Sequence, residues 1–227
     1  MKAIILAAGR GERMRPLTDH TPKPLLKVRG KALIEWHLQA LARGGVCEVV
    51  VNTAWLEEQF PAVLGDGSRY GVTIHYSTEG RDHGGALETA GGIAKALAFL
   101  GDSFWVVSGD VFVPGFVFDA AAARRFTAGS MLAHLWLVPN APHHPRGDFG
   151  IDDDGLAVTD AAERFTWSSV GLMRAGLVAG VAPGTKAALR PRLDAAIAQH
   201  RLSAELWRGE WTDVGTPERL AALNSGM

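Results

Sequence analysis

The chain has 227 residues, of which 47% are hydrophobic and 21% charged, and its formal net charge is −1 at pH 7. These values are typical of a folded domain, and they exclude the basic balance of a nucleic-acid-binding protein and the low hydrophobicity of a disordered chain. The single cysteine, Cys47, excludes an internal disulfide and is typical of a cytoplasmic protein. We expect its thiol to be buried and inert, because it precedes the apolar run 49–51. No apolar stretch approaches the roughly 20 residues that cross a membrane.

The N-terminus predicts a first strand and a loop. The run AIILAAG after Met1 and Lys2 is similar to a short secretion leader, but it is at the short limit for one, and charged residues follow from Arg10 onward. We therefore expect a chain that is not processed. Its first apolar run, KAIIL (2–6), is expected to form a strand, and the glycines that follow are expected to form a turn.

Further apolar runs predict four more strands: EVVVN (48–52), VTIHYS (72–77), FWVVS (104–108) and MLAHLWLV (131–138). The spacing of apolar residues predicts a helix over 31–43, ended by Gly44 and Gly45, and another over 89–100 with Thr89 as its N-cap. Strands that alternate with helices indicate one α/β domain whose largely parallel sheet is covered on both faces. The loop-rich segment 139–165 predicts a lobe beside the carboxyl edge of that sheet.

Polar residues and glycines follow several of the predicted strands. Gly9 and Gly11 follow the first strand, Asn52 the second, Asp110 the fourth and Asn140 the fifth. In folds of this kind ligands bind beyond the carboxyl ends of the strands. The sequence therefore predicts that these residues line one cleft.

The residues of the loop after the first strand are typical of a phosphate-binding site. Glycines let backbone N–H groups approach phosphate oxygens, and Arg13 and Lys23 add positive charge. Lys23 stands between Pro22 and Pro24, which stiffen the backbone around it. The loop lacks the third glycine of a dinucleotide fingerprint and the Gly-Lys-Ser/Thr of a Walker loop, which disfavours an NAD-dependent oxidoreductase. A merely tight turn would explain the glycines but not the nearby cations.

Two aspartates are candidate metal ligands. Asp110 follows a predicted buried strand, and Asp213 lies in WTDVGTP before a short helix with Thr216 as N-cap. Each aspartate alone is equally compatible with an ordinary turn or helix cap. Two carboxylates together with substrate phosphates are, however, a usual way to hold Mg²⁺. The adjacent His143 and His144 do not have the spacing of a zinc site.

The motifs LAAGRGERMRPLT and TPKPLL resemble the signature of the sugar-1-phosphate nucleotidylyltransferases, and LETAGGIAKAL, VVSGDVF and WTDVGTPERL follow in the order found in that family. The resemblance covers nearly the whole chain. It implies a three-layer, Rossmann-like (GT-A-like) α/β nucleotidyltransferase fold with a mostly parallel central sheet and a small sugar-binding lobe. It also implies a single domain over 1–227, with the nucleotide-binding part at about 1–112 and the sugar-binding part at about 113–227.

The resemblance further implies that a sugar 1-phosphate attacks the α-phosphorus of a nucleoside triphosphate and releases pyrophosphate. Arg13 would contact the β- and γ-phosphates, Lys23 the α-phosphate, and Asp110 and Asp213 would coordinate Mg²⁺, the expected cofactor. The implied nucleotide-binding residues are Ala8, Gly9, Gly11, Arg13, Lys23, Asn52, Glu79, Glu88 and Gly91. The implied sugar-binding residues are Asn140, Gly147, Asp148 and Ser168.

Within the family, LVPNAPHHPRGDFGI (137–151) is similar to the bacterial N-acetylmuramate-1-phosphate uridylyltransferases of peptidoglycan recycling. The expected substrates are therefore UTP and N-acetylmuramate 1-phosphate, whose lactyl carboxylate would meet His143 or Arg146. Two features depart from this pattern: the segment 81–86 lengthens a loop on the nucleobase side, and Ser169 replaces a glycine.

Two alternatives remain open at the level of sequence. One is another substrate pair, such as mannose 1-phosphate with GTP. The other is a non-catalytic, sugar-nucleotide-binding regulatory subunit, which the presence of Lys23, Asp110 and Asp213 disfavours. We expect a monomer or small homo-oligomer with no nucleic-acid or membrane partner.

Overall fold

The computed structural model of the chain describes residues 1–225. The described residues form thirteen β-strands and seven α-helices. The strands are β1 (Lys2–Leu6), β2 (Lys27–Val28), β3 (Lys31–Ala32), β4 (Glu48–Thr53), β5 (Thr73–Thr78), β6 (Ser103–Ser108), β7 (Val111–Phe112), β8 (Ala133–Val138), β9 (Gly150–Ile151), β10 (Ala157–Val158), β11 (Thr166–Arg174), β12 (Leu202–Leu206) and β13 (Thr212–Asp213). The helices are α1 (Leu33–Arg43), α2 (Gln59–Leu64), α3 (Glu79–His83), α4 (Glu88–Leu100), α5 (Ala120–Ala128), α6 (Arg190–Ala198) and α7 (Pro217–Ser225).

Seven strands form the central sheet in the order β12-β8-β11-β6-β1-β4-β5. Four of its six neighbouring pairs are parallel, and the other two involve β11, which runs antiparallel to both β6 and β8. Helices cover both faces, so the structure has three layers. The prediction of an α/β fold with a mostly parallel central sheet is confirmed.

Strands β1, β4 and β6 each contain a continuous apolar run, as expected for strands with both faces buried. Successive side chains of a strand point to opposite faces, so each apolar run supplies two separate cores. Ile5, Val51 and Trp105 pack on the face covered by α1 and α5. Ile4 and Val50 pack on the other face, against α4 and α6.

The predicted helices are present, but their starts differ from the prediction. Helix α1 begins at Leu33 because Lys31 and Ala32 pair with β2 as a short hairpin. Helix α4 begins at Glu88, so the prediction of Thr89 as its N-cap is wrong. The Ala187 carbonyl accepts hydrogen bonds from the N–H groups of Ala90 and Gly91, at 2.9 and 3.2 Å, and thereby replaces a side-chain cap.

The expectation that the Cys47 thiol is buried is also wrong. Cys47 is exposed because β4 begins only at Glu48, so the thiol lies in the turn before the buried run. Its sulfur lies 3.8 Å from the carbonyl oxygen of Gly45.

The segment 139–165 forms a lobe next to the central sheet. It contains the β9–β10 hairpin, and single antiparallel bridges join Phe149 to Phe165 and Leu156 to Ser203 of β12. Helix α7 returns to the N-terminal part of the chain, where the Asn224 side-chain oxygen accepts a hydrogen bond from the N–H of Arg29 at 2.7 Å. No helix within residues 1–225 combines the length and the apolar character needed to cross a membrane.

Candidate active site

A cleft of about 480 Å³ opens at the carboxyl edge of the central sheet. The register of the strands aligns Leu6 with Asn52 on one side and with Ser108 on the other, so β1, β4 and β6 end on one line. The structure brings eight of the predicted residues into the lining of this cleft: Ala8, Gly9, Gly11, Arg13, Lys23, Asn52, Glu88 and Asp110. The other predicted residues are not part of this lining.

The loop after β1 depends on glycine at Gly11. Its φ of 68° is in the left-handed region, which side chains disfavour. A Cβ at Gly11 would also lie 3.0 Å from Cγ2 of Thr18 and 3.2 Å from Cβ of Lys23. At Gly9 a Cβ would meet nothing within 4 Å, so the backbone there faces open space in the cleft. The loop is thus closed against Lys23 on one side and open to a ligand on the other.

Lys23 and Asp110 form an ion pair on the floor of the cleft, with 2.6 Å between Nζ and Oδ2. The Lys23 side chain is 8% exposed, whereas that of Asp110 is 40% exposed. Gly109 allows the pairing: its N–H donates to the Leu6 carbonyl at 2.8 Å, and a Cβ there would lie 3.1 Å from Pro24. The strand end and the Pro-Lys-Pro segment therefore pack directly against each other.

The Asp110 carboxylate is held in its ionised form. Burial raises the pKa of this carboxyl, but the charge of Lys23 and the hydrogen bonds from Lys23 and Ser108 outweigh burial, so the pKa lies below its ordinary value. The Ser108 hydroxyl donates to Oδ1 at 2.7 Å. Asp110 can therefore act as an anionic ligand at neutral pH.

A buried histidine supports the turn that carries Asp110. His37 of α1 is 1% exposed, and its Nε2 lies 2.9 Å from the Val111 carbonyl oxygen, within hydrogen-bond distance. Burial lowers the pKa of His37 to about 4, because the charged imidazolium would lose its hydration. We infer that His37 is neutral and donates this hydrogen bond. Its residue type alone gave no sign of that role.

Stability should therefore fall as the pH is lowered from about 6.5 to about 4, where the unfolded chain binds a proton at His37 and the folded chain does not. The expected loss is about 3 kcal/mol, from 1.36 kcal/mol for each pKa unit. Urea unfolding between pH 7 and pH 4.5 measures most of this loss. His37→Gln keeps a donor for Val111 but does not titrate, and it should lose less stability over this range. His134, whose pKa is also lowered by burial, remains in both proteins. Equal losses in the two proteins would contradict the prediction.

Asp213 is brought next to Asp110 by a short ribbon. Strands β7 and β13 pair antiparallel with Asp213 opposite Val111, and the Val214 N–H donates to the Asp110 carbonyl at 2.9 Å. The Asp213 carboxylate also contacts the guanidinium of Arg219, and its Oδ1 lies 2.8 Å from Nε2 of His143. The ribbon therefore places Asp213, from a distant part of the chain, beside the segment that carries Asp110, and Gly215 next to it lines the cleft.

These two aspartates are the donor set available to a divalent cation. Among residues 1–225 no group of three or more His, Cys, Asp or Glu side chains could hold a metal ion alone. Mg²⁺ commonly takes one or two carboxylates and completes its shell with water and substrate phosphates. A pair of oxygen donors beside the glycine loop fits that chemistry.

Asn52 and Glu79 lie one behind the other. Asn52 lines the cleft, whereas Glu79 is 0% exposed and does not reach it. A strand end and a helix start enclose the Glu79 carboxylate, which accepts a hydrogen bond from the Asn52 amide. Gly91 is also buried, packed against the 185–187 loop. Glu88 is exposed at the cleft with a φ of 60°, which costs about 1–2 kcal/mol for a residue with a side chain.

Three of the four predicted sugar-binding residues lie in the lobe, whereas Ser168 lies in β11 of the central sheet. The Asn140 side chain bonds Thr166 and the Arg164 carbonyl, Asp148 accepts from the Trp167 N–H at 2.8 Å, and Ser168 donates to the Trp136 carbonyl at 2.6 Å. A Cβ at Gly147 would lie 2.8 Å from Arg164 and from Asn140. Asn140 and Asp148 therefore bond the lobe to β11, whereas the Ser168 hydrogen bond joins β11 to β8.

Three further residues mark differences between expectation and structure. Arg146 lines a separate groove with Asn140 and Arg164, whereas His143 reaches Asp213. Ser169 has a φ of 63°, at a bulge in β11, which explains why a glycine is expected there. Arg219 was not predicted, and its position shortly after Asp213 in the chain was the only signal.

Comparison with known proteins provides independent information. The sequence model of the Nucleotidyl transferase family matches residues 2–165. An N-acetylmuramate alpha-1-phosphate uridylyltransferase of Neisseria meningitidis is 50% identical over 227 residues, covering 97% of this chain and 95% of that protein. The protein of the same description from Caulobacter vibrioides is 34% identical and covers 97% and 94% of the two chains. A UTP–glucose-1-phosphate uridylyltransferase of Synechocystis is 40% identical over 70% of this chain but 43% of its own length.

The fold is also found in solved structures. A Bacillus anthracis protein assigned as a glucose-1-phosphate thymidylyltransferase, crystallised with a sucrose, superposes with a TM-score of 0.84 at 22% identity, covering 99% and 94% of the two chains. HddC of Yersinia pseudotuberculosis superposes with a TM-score of 0.76 at 16% identity, covering 99% and 98%. At these identities the likeness concerns the fold.

Proposed function

The chain belongs to the nucleotidyl transferase family, and from this premise we propose that it joins UTP to N-acetylmuramate α-1-phosphate, giving UDP-N-acetylmuramate and pyrophosphate. One observation of the structure carries the proposal: the glycine loop, Lys23 and the ionised Asp110 face one cleft. The sugar and the base rest on the Neisseria meningitidis relative, which is similar over nearly the full length of both chains.

The proposed chemistry is an in-line displacement at the α-phosphorus. A phosphate oxygen of the sugar 1-phosphate forms the new P–O bond, and the bond to the β-phosphate oxygen breaks, so the electron pair leaves with pyrophosphate. A phosphate monoester is largely ionised near pH 7, and the reaction therefore needs positioning and charge neutralisation more than a general base.

The residues of the cleft are suited to that task. Lys23 would neutralise the α-phosphate, since its ammonium is fixed at the floor of the cleft by Asp110. Arg13 is exposed at the rim, and among residues 1–225 it has no ion-pair partner, so its guanidinium is free for the β- and γ-phosphates. The backbone at Gly9 would approach the same phosphates.

Asp110 and Asp213 would hold Mg²⁺, with substrate phosphates completing its shell. A bound Mg²⁺ would add positive charge where the phosphates meet. The present contacts of both carboxylates support this role, because each already faces cationic or polar groups: Asp110 faces Lys23, and Asp213 faces Arg219 and His143. When the metal binds, Lys23, Arg219 and His143 would either keep their contacts with the carboxylates or turn toward the substrate phosphates.

On the sugar side, Asn140, Gly147, Asp148 and Ser168 would set the shape of the lobe that receives the sugar. We assign the lactyl carboxylate to His143 rather than Arg146, because His143 contacts Asp213 whereas Arg146 lines a separate groove. The alternative with mannose 1-phosphate and GTP would use the same phosphate site. A regulatory subunit would not need Lys23, Asp110 and Asp213 in contact range of one cleft.

The test is pyrophosphate release over a grid of the four nucleoside triphosphates and several sugar 1-phosphates with Mg²⁺. We expect the highest kcat/KM with UTP and N-acetylmuramate α-1-phosphate, about tenfold above N-acetylglucosamine 1-phosphate, the value of one added charged contact of about 1.4 kcal/mol. A higher kcat/KM with GTP and mannose 1-phosphate would support the alternative pair. No release with any pair would contradict the catalytic proposal and favour the regulatory subunit.

A further inference from the structure

Two walls of the nucleotide cleft are joined by a hydrogen-bonded relay behind it. One wall is the start of the glycine loop at Ala7, and the other is the start of α4 at Leu87. The Ala7 N–H donates to Asn52 Oδ1 at 2.8 Å, and Asn52 Nδ2 donates to Glu79 Oε1 at 2.8 Å. Glu79 Oε2 accepts from the Leu87 N–H at 2.7 Å. The relay therefore runs from one wall to the other through two side chains.

At each hydrogen bond of the relay, only one assignment of donor and acceptor is possible. The Ala7 and Leu87 backbone groups are donors, so Asn52 must turn its oxygen toward Ala7 and its amide nitrogen toward Glu79. Both Glu79 oxygens then accept hydrogen bonds, which is the pattern that suits a carboxylate. Burial raises the pKa of Glu79 above its ordinary value, although the hydrogen bonds from Leu87 and Asn52 oppose that rise.

The relay is packed closely enough to transmit position. Glu79 is 0% and Asn52 3% exposed. Helix α4 lies directly on the pair, because a Cβ at Gly92 would lie 2.5 Å from Glu79 Oε1 and 2.7 Å from Asn52 Nδ2. A shift of either side chain would therefore move the helix or the loop.

The far end of the relay holds an unusual backbone at the cleft. Leu87 is bonded on both sides: its N–H donates to Glu79, and its carbonyl accepts from the Ala187 N–H at 3.0 Å. The next residue, Glu88, faces the cleft with a left-handed φ of 60°. Such a backbone persists only where its surroundings fix it.

We propose that Glu79 is a positioning residue of the nucleotide site, acting through Asn52 on the glycine loop and through Leu87 on the start of α4. Glu79 itself does not touch the nucleotide. The inference rests on the proposed function, since it concerns the site that would bind UTP. On this inference, the direction of the hydrogen bonds made by the buried pair Asn52 and Glu79 sets the spacing of the two walls. That spacing in turn sets the affinity for the nucleotide.

Substitutions at positions 79 and 52 can disrupt the order of donors and acceptors in the relay and then restore it. In Glu79→Gln the new amide nitrogen must face the Asn52 or the Leu87 donor, and turning Asn52 over only moves the conflict to Ala7. In Asn52→Asp two carboxylates face each other. In the double variant, the carboxylate introduced at position 52 accepts from the Ala7 N–H and from the amide nitrogen introduced at position 79. The amide oxygen at position 79 then accepts from Leu87. All three hydrogen bonds are possible again, and only the place of the negative charge has changed.

The experiment is isothermal titration of each full-length protein with UTP, together with KM for both substrates and the thermal midpoint. We expect each single variant to bind UTP about tenfold more weakly, with KM for the sugar 1-phosphate within about twofold of wild type. The double variant should bind UTP more tightly than either single variant. Thr53→Val is the matched control, because Thr53 is the next residue of the strand and equally buried, yet its hydroxyl has no partner among the described residues. Its UTP affinity should not change.

Several outcomes would overturn the inference. Independent losses would multiply, so a double variant that binds about a hundredfold more weakly than wild type contradicts it. A purely structural role would lower the thermal midpoint of Glu79→Gln but leave its UTP affinity unchanged. Where a single variant yields no folded protein, the double variant is the test. A folded double variant whose affinity for UTP is at least about tenfold lower than that of wild type contradicts the proposal. Wild-type protein that binds none of the four nucleoside triphosphates would overturn the proposed function and this inference together.

Discussion

Lys23→Met is expected to lower kcat by about 10²–10³-fold, the loss typical of removing one fixed group that stabilises charge in a transition state. The Lys23 side chain is 8% exposed and its ammonium lies 2.6 Å from Asp110, so water cannot readily take its place. The KM for UTP should change less than kcat, since in the proposed site Arg13 and the glycine loop would still hold the outer phosphates. Steady-state pyrophosphate release and UTP titration separate the two quantities.

Two comparisons make this test specific. Lys27→Met removes an exposed lysine a short distance further along the chain and should leave turnover unchanged. Lys23→Arg should not restore the rate, because the larger planar guanidinium does not fit a position that holds a compact ammonium. Lys23→Met should also lose about 1–2 kcal/mol of stability, less than for a fully buried pair because Asp110 is 40% exposed. Turnover of Lys23→Met within a few-fold of wild type would remove Lys23 from the catalytic set.

Asp110→Asn and Asp213→Asn are each expected to lower turnover by about 10³-fold, since a metal ion contributes several kcal/mol and about 1.4 kcal/mol corresponds to tenfold. Each change keeps the size of the side chain but removes its charge. Asp110→Asn also removes the charge that holds Lys23, so its loss should be the larger of the two. Pyrophosphate release over a range of Mg²⁺ concentrations measures both effects.

A readout that does not depend on turnover completes this test. Mn²⁺ titration in the presence of UTP should show weaker binding in both variants than in wild type. Asp194→Asn is the control: it removes an exposed carboxylate paired with Arg190, on α6, and should change neither quantity. Retained turnover in both aspartate variants would refute the assignment of these residues to the metal.

Much of the central sheet was predictable because several of its strands are locally distinctive. Strands β1, β4 and β6 are continuous apolar runs, as expected for strands buried on both faces. Strand β11 was not predicted. Its sequence TWSSVGLMR contains two serines and a bulge between Trp167 and Val170, so neither alternation nor an apolar run marks it. Its place between β6 and β8 depends on pairing with residues distant in sequence.

The cleft at the glycine loop was also predictable, for a topological reason. Parallel strands end at one edge, so residues that follow β1, β4 and β6 must meet there. The structure brings Gly9, Asn52 and Asp110 to the same cleft. Glu79 also follows a strand of this sheet, but its side chain turns behind Asn52. That direction is set by the Leu87 N–H and the close approach of Gly92, which no local pattern reveals.

The sequence by itself determined the alternation of strands and helices, the loop chemistry of Gly9 to Lys23 and the choice of Asp110 and Asp213 as candidate ligands. These features are local, because periodicity, turn residues and motif spacing act over a few residues. Only the tertiary structure decided that Asp213 meets His143 and Arg219, and that Glu79 joins two walls of the cleft. Those contacts connect residues as many as 70 positions apart, and their geometry depends on how strands and helices pack, which a single sequence does not specify locally.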